Sequence, residues 1–244
     1  MRALSAGELL DVWEAGFAQP PTERALALLA VACPETSPDA LAAISIGQRD
    51  AKLIMLRELL WGPRMDGVVV CPNCRDRLEL LLNTQQIYSG SQRTTSGANF
   101  LSIAGYEMTL RLPTSLDVIA VADQSDAEGC RTLMLERCLT SVVKGDAPVD
   151  LDKLPPEVME SVVTSMAEAD PLADIQLHLT CPSCEHRWHT VFDIVSFLWT
   201  EIEVWAWRIL SDVHTLARAY GWRERDILTL SPTRRQFYLN MVGA

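Results

Sequence analysis

The chain has 244 residues, of which 48% are hydrophobic and 22% are charged, an ordinary balance for a globular protein and not for a disordered one. Its 21 Lys and Arg residues against 32 Asp and Glu residues give a formal net charge of −11. Such a charge repels phosphate backbones, which argues against nucleic-acid binding. The chain is long enough to bury a sizeable core of its own.

Localisation is predicted from three features of the sequence. Glu8, Asp11 and Glu14 interrupt the apolar pattern of the N-terminal segment, so no secretory signal is predicted. No apolar stretch approaches the roughly 20 residues that a membrane span requires. Seven cysteines, an odd number, indicate free thiols in a reducing compartment. These features predict a cytoplasmic protein without a membrane span.

The first part of the chain has the signals of consecutive helices. Ser5 with Glu8 forms a capping-box pattern, and Pro34 and the pair Gly62-Pro63 stop later helical segments. Short β-like segments then flank two Cys-Pro-x-Cys motifs, and a β-hairpin broken at Gly105 is predicted between residues 100 and 112. Residues 88–98 are rich in Ser, Thr and Gly and predict an exposed loop.

The predicted fold class is α+β, a mostly helical chain with a split zinc-ribbon and β-hairpin module formed by two distant CPxC knuckles. Five segments are predicted. They are an N-terminal helical region (1–63), the first half of the ribbon with the hairpin (64–112), a helical insertion (113–172), the second half of the ribbon (173–192) and a C-terminal aromatic-rich helical region (193–244).

The two CPxC motifs predict one structural zinc site. They are Cys71-Pro-Asn-Cys74 and Cys181-Pro-Ser-Cys184. In a zinc knuckle the turn points both sulfurs at one metal, and proline after the first cysteine suits the fixed φ of that turn. Two knuckles supply the four thiolates of a closed tetrahedral site for a single Zn²⁺ ion. The long separation makes the intervening elements an insertion between two halves of one ribbon.

Other uses of these cysteines are open at this point. A redox pair is disfavoured because a thioredoxin-like motif should open a helix, whereas these motifs lie between strands. Two separate metal sites would need further ligands. His186 and His189 could complete one around the second knuckle, but the first knuckle has no histidine neighbour. A contribution from either histidine is open, although both are expected to be surface residues of the ribbon.

Catalytic motifs are absent from the sequence. There is no His-x-Glu partner of the kind that zinc deaminases carry, no Gly-rich phosphate loop and no nucleophile elbow, so no enzyme is predicted. Other candidate groups have structural interpretations. Apolar packing is expected for Cys33, Cys130 and Cys138. His178 and His214 are expected to be isolated histidines that are packed or lie on the surface. A position at a helix end or turn is expected for Asp170 and Asp174.

Aromatic residues are concentrated near the C-terminus. Most are expected in the core, because Trp199 and Trp205 fall on the apolar stripe of a long helix. Trp207 falls off that stripe, and aromatic and Arg side chains dominate protein interfaces. The predicted partner-binding residues are Trp207, Trp222, Arg234 and Arg235. For Arg234 and Arg235, a solvated helix face is the alternative.

Several short motifs in a fixed order carry a family resemblance. They are Leu-Pro-Thr-Ser-Leu-Asp at 112–117, Ala-Asp-Pro-Leu-Ala-Asp at 169–174, the two knuckles, Phe-Leu-Trp-Thr-Glu at 197–201, Val-His-Thr-Leu-Ala at 213–217, Tyr-Gly-Trp at 220–222, Asp-Ile-Leu at 226–228 and Ser-Pro-Thr-Arg-Arg-Gln-Phe-Tyr at 231–238. Together they resemble the T-even-type baseplate hub assembly chaperone family of contractile-tail phages, which also occurs in gene clusters of phage-tail-like contractile injection systems. The N-terminal residues 4–10 fit members from those clusters.

The resemblance implies a non-enzymatic role in building or forming the baseplate or its central hub, with baseplate, hub or spike proteins as partners. It leaves a transient chaperone and a retained component equally open. The alternative is a zinc-ribbon regulator of transcription or nucleic-acid handling, which the acidic net charge disfavours. A metal-dependent enzyme would need an open coordination position.

Overall fold

Pairs of strands separate groups of helices in the computed structural model, which describes residues 1–89, 99–124, 126–145 and 147–243. The α-helices are α1 (Ala6–Gly16), α2 (Pro21–Ala32), α3 (Pro38–Ala42), α4 (Ile46–Trp61), α5 (Thr84–Ser89), α6 (Ser115–Val121), α7 (Ala127–Cys138), α8 (Pro156–Ala169), α9 (Ile194–Tyr220), α10 (Glu224–Leu228) and α11 (Pro232–Val242). The strands are β1 (Arg64–Val70), β2 (Arg77–Asn83), β3 (Asn99–Ile103), β4 (Tyr106–Leu110), β5 (Leu139–Lys144), β6 (Ala147–Pro148), β7 (Gln176–Thr180) and β8 (Arg187–Val191). This mixture confirms the α+β class.

Local signals set the helix ends as the sequence predicts. Ser5 caps α1 in a capping box with Glu8. Gly62 ends α4 with a φ of 88°, and Gly221 follows α9 with a φ of 67°, both in the left-handed region that glycine adopts without a steric penalty. Most of the predicted loop 88–98 lies outside the described residues. Among the described residues, no helix combines the length and apolarity needed to span a membrane.

The chain folds as two units. The first comprises Met1–Thr36 and Ile194–Ala244, and the second comprises Ser37–Asp193. In the first unit, α9 packs against α1, α2, α10 and α11. Its buried stripe recurs at steps of three and four residues, as predicted, and is formed by Val195, Leu198, Trp199, Ile202, Ala206, Ile209, Val213 and Leu216.

The second unit contains an antiparallel sheet in the order β3-β4-β5-β6. Side chains from this sheet form one core cluster with α7 and α8, which includes Met108, Leu110, Cys138 and Val162. Strand β5 is not predicted from the sequence, because Leu139–Lys144 follows α7 without any turn residue to mark a change of period. The remaining strands of this unit form two separate hairpins, β1-β2 and β7-β8.

The N-terminus of α4 joins distant parts of the second unit. The first four N–H groups of a helix have no partner inside it. At α4, the N–H of Ile46 donates to the Pro113 carbonyl and that of Gly47 donates to Asp170 Oδ2, each at 2.9 Å. Ser45 supplies acceptors for the next two N–H groups through its side chain and carbonyl. Asp170, which also caps the end of α8, therefore has a wider role than the predicted helix end.

Asp117 forms a second buried junction in this unit. Its carboxylate accepts two hydrogen bonds from Arg111 at 2.6 and 2.7 Å and one from Arg137 at 2.7 Å. It also caps α6 by accepting from the Thr114 backbone N–H. Burial raises the pKa of Asp117, but the hydrogen bonds from Arg111, Thr114 and Arg137 outweigh this and hold the pKa well below its usual range.

Gly47→Ala should destabilise the protein. A Cβ at this position would lie 2.1 Å from Asp170 Oδ1 and 3.0 Å from the Ala173 backbone nitrogen. Displacing the buried carboxylate should lower the free energy of unfolding by about 2 kcal/mol or more. The control is Gly7→Ala in α1, where a Cβ would meet nothing within 4 Å. Chemical denaturation measures both, and equal stability of the two variants would contradict this role of Gly47.

Asp117→Asn should also destabilise the protein, because it leaves two arginines without their shared buried carboxylate. Breaking a buried pair costs about 3 kcal/mol or more. Asp150→Asn is the control, since its pair with Lys153 is exposed to solvent and its loss should change stability little. Because folding lowers the pKa of Asp117, its contribution is complete above the unfolded pKa of about 4 and is lost as the pH falls below that value. The stability gap between wild type and Asp117→Asn should therefore narrow in acid, and a gap independent of pH would contradict this account.

Candidate metal centre

Two hairpins of matching register carry the four cysteines. In the first hairpin Val70 pairs with Arg77, and in the second Thr180 pairs with Arg187, so each turn spans six residues. The Cys71 N–H donates to the Asp76 carbonyl and the Cys181 N–H to the His186 carbonyl, each at 2.9 Å. The two knuckles are therefore the same structure built twice.

The turn geometry of each knuckle directs N–H groups at the sulfurs. Arg75 and Glu185, each directly after the second cysteine of its motif, adopt left-handed backbone with φ of 66° and 58°. Non-glycine residues rarely adopt this conformation, which costs roughly 1–2 kcal/mol. It allows the Asp76 N–H to donate to Cys74 and the His186 N–H to donate to Cys184. Such N–H···S bonds favour the thiolate form that binds metal.

The four sulfurs meet at one point. The Cys71 and Cys184 sulfurs are 3.7 Å apart, the Cys74 and Cys181 sulfurs are 3.6 Å apart, and all four lie within 4.8 Å of one another. These distances are too long for disulfides, and the cysteines are free. A tetrahedral ion with metal–sulfur bonds of about 2.3 Å requires sulfurs roughly 3.8 Å apart. The donor set and its spacing are therefore compatible with a tetrathiolate metal site.

Contacts between the knuckles surround the sulfur cluster. The Asn73 side chain donates to Cys184 Sγ across the site at 3.5 Å, and the Ser183 hydroxyl donates to the Asp76 carboxylate. Asn73 and Ser183 occupy the same position of their motifs, directly before the second cysteine. In each knuckle, the variable residue of CPxC therefore donates a hydrogen bond to the other knuckle. Such outer contacts orient metal ligands.

Proton affinities differ within the cluster. Hydrogen bonds from the Asn73 side chain and the His186 N–H lower the pKa of Cys184 to about 6. The Asp76 N–H lowers the pKa of Cys74, but hydrogen bonds with neighbouring sulfurs, first that of Cys184, together with burial raise it to about 12. Four thiolates this close repel one another unless a cation is present. A bound divalent ion would supply that charge and release the remaining protons.

The other predicted ligand candidates lie outside the sulfur cluster. Within the described ranges, the grouping of three or more His, Cys, Asp or Glu donors consists of the four cysteines, without His186 or His189. The His186 ring stacks on Trp188, and His189 faces His178 across the second hairpin. His178 is exposed, in agreement with the predicted surface position, but it is not isolated, because His189 faces it. Cys33 and Cys138 are buried and Cys130 is half-buried.

The predicted partner residues all lie in the first unit and differ in exposure. Trp207 on α9 is 65% exposed, and its ring centre is 6.4 Å from that of Trp13 on α1. Trp222 stacks on Tyr220, Arg234 is exposed at the start of α11, and Arg235 pairs with Asp212 at 3.0 Å. Their roles in partner binding stay predictions.

Comparison with known proteins identifies the family. A family model described as T4 bacteriophage base plate protein matches residues 18–199, about three quarters of the chain. The chain belongs to this family. The matched span contains all four cysteines, Gly47, Asp117 and Asp170, and it ends within α9 before Trp207. Neither the curated proteins nor the solved structures give a significant match. The family supports a baseplate-related structural or assembly role with baseplate proteins as partners.

Cys71→Ser and Cys184→Ser should each lose bound metal and destabilise the second unit, because both hairpins contribute to one sulfur set. The loss of stability should be several kcal/mol, since binding a structural metal stabilises the folded state directly. Cys130→Ser is the control, because that thiol is outside the cluster and contacts the Val121 carbonyl. Metal content and thermal unfolding are measured for all three variants. Unchanged metal content and melting temperature in both knuckle variants would contradict this prediction.

Proposed function

We propose that this chain is a non-enzymatic assembly factor or structural component of the baseplate or hub of a contractile phage tail or a phage-tail-like injection system. The family match over residues 18–199 is the observation that carries this proposal. The chain acts by protein–protein contacts with baseplate, hub or spike proteins, in the bacterial cytosol during assembly, and either leaves or remains in the finished particle.

One Zn²⁺ ion has a structural role in this proposal. The cysteine cluster supports this assignment because four thiolates leave no coordination position for water or a substrate. Zinc is the usual occupant of a closed tetrahedral site of this kind and has no redox chemistry of its own. When bound, it would join the two hairpins at their turns, so that the elements between residues 74 and 181 are closed into one loop.

A partner surface is proposed on the first unit around Trp207. Phe17 and Val204 are 63% and 57% exposed, and Trp13 contacts both Phe17 and Trp207 with edge-on ring packing. Phe17, Val204 and Trp207 are exposed, and together with the half-buried Trp13 they form an apolar surface area, which we call the aromatic patch. Aromatic anchors of this kind account for much of the binding energy at protein interfaces. Trp222, Arg234 and Arg235 remain proposed contacts, although Arg235 already has Asp212 as an ion-pair partner.

The assembly role is tested by deleting the gene from its phage or injection-system cluster. Electron microscopy should show no complete baseplates or contractile particles, and the wild-type gene supplied in trans should restore them. Normal particles in the deletion strain would contradict the proposal. Mass spectrometry of purified wild-type particles then distinguishes a retained component from a transient assembly factor. A retained component is present in the particles, and a transient factor is absent from them.

Trp207→Ala should weaken binding to the baseplate or hub partner with little change in stability, because its side chain is mostly exposed. Loss of an interface anchor costs about 2 kcal/mol, which corresponds to a roughly 30-fold higher Kd. Phe100→Ala is the matched control, since Phe100 is 66% exposed and belongs to the second unit. Titration calorimetry with the purified partner measures both variants. Equal affinities of wild type and Trp207→Ala, or an equal loss in the control, would exclude the aromatic patch.

A further inference from the structure

Two histidines face each other on the exposed side of the second hairpin. His178 on β7 is directly opposite His189 on β8, and their ring centres are 6.5 Å apart. Both side chains are exposed. No hydrogen bond to either imidazole occurs within the described residues. The pair therefore offers two free nitrogen donors to the solvent.

The backbone hydrogen bonds determine how close the two side chains can come. The Phe192 N–H donates to the Ile175 carbonyl and the Cys181 N–H to the His186 carbonyl, so residues 175 and 192, and likewise 181 and 186, are hydrogen-bonded pairs. Bonded and non-bonded pairs alternate along an antiparallel ladder, which makes His178 and His189 a non-bonded pair. In such pairs the Cα atoms are only about 4.5 Å apart and the side chains are at their closest.

This spacing suits chelation of one ion. Two imidazoles bound to a tetrahedral ion at about 2.0–2.1 Å have ring centres roughly 5 Å apart. The observed 6.5 Å closes to that value by side-chain rotation, which the exposed positions allow. Imidazole nitrogen is a preferred ligand for Zn²⁺, Cu²⁺ and Ni²⁺.

The hairpin does not require histidines at positions 178 and 189 in order to fold. The first hairpin has the same register around its knuckle, and at the corresponding positions Val68 is opposite Glu79. A hairpin of this type therefore forms without histidines there. The pair is also separate from the sulfur cluster, since His178 is three residues before Cys181 along an extended strand, a distance of roughly 10 Å.

We propose that His178 and His189 form a second metal site, which binds Zn²⁺ through two imidazole nitrogens. The other coordination positions of the ion face solvent and are open to water or to a donor from another protein. This inference does not depend on the proposed baseplate role. It also differs in kind from the cysteine site, because the two ligands lie on one hairpin and would bind the ion more weakly and reversibly.

The test uses the full chain with its cysteine site already loaded with zinc, so that added Zn²⁺ reports on further binding. The variants are His178→Gln, His189→Gln and the double variant. The other two histidines of the chain provide matched controls, His186→Gln on the same hairpin and His214→Gln on α9. Equilibrium dialysis measures the zinc retained with the cysteine site and the affinity for the second equivalent.

The wild type and both controls should bind a second equivalent of Zn²⁺. Each single variant should bind it at least about tenfold more weakly, since even the outer partners of a metal ligand are worth that much. The double variant should lose little more than either single variant, because both residues serve one site. Equal affinities in wild type and single variants, or an equal loss in His214→Gln, would overturn the proposal. Zinc retained at the cysteine site should be the same in all variants, and its absence would count against the cysteine site alone.

Discussion

The convergence of four sulfurs on one point is the constraint on which the second unit depends. Cys71 and Cys74 lie more than a hundred residues before Cys181 and Cys184, yet all four sulfurs lie within 4.8 Å of one another. Neither hairpin has a strand partner outside itself among the described residues. A two-stranded hairpin is marginally stable alone, so contact through the sulfur cluster should stabilise both hairpins. Without a cation, sulfurs this close cannot all be ionised, so a metal bound at the cluster would stabilise the folded unit directly.

Buried polar contacts provide a second set of long-range connections in the same unit. Asp170 satisfies an N–H at the start of α4, and only a glycine at position 47 leaves space for its carboxylate. Asp117 joins the end of β4 to α6 and α7 through two arginines. Asp117 and its two arginines lie in the segment between the knuckles, and Asp170 connects that segment to Gly47, which precedes the first knuckle. The matched family span contains them all, whereas the aromatic patch belongs to the other unit and lies entirely outside that span.

Local chemistry explains what could be predicted from sequence. Ser5 with Glu8, Gly62 and Gly221 mark helix ends, and each CPxC motif determines a tight turn between two strands. The cysteine cluster could be predicted because each CPxC motif supplies two thiolates and a closed tetrahedral site requires four. The contact of Gly47 with Asp170 could not be predicted, because the residues are 123 positions apart and no local signal connects them. That His178 lies opposite His189 could have been predicted by counting the hairpin register outward from the knuckle.

The ion pair of Arg235 could not be predicted, because it depends on how α11 packs against α9, which no local signal specifies.

Cobalt substitution followed by X-ray absorption spectroscopy tests the central claim most directly, because it reports the number and type of ligands around the ion. The full chain, loaded with one equivalent of Co²⁺ as the sole metal, should show four sulfur ligands in tetrahedral geometry and strong thiolate-to-cobalt charge-transfer absorption. A first shell with two sulfurs and several oxygen or nitrogen atoms would contradict it, because the two knuckles would then not share one ion.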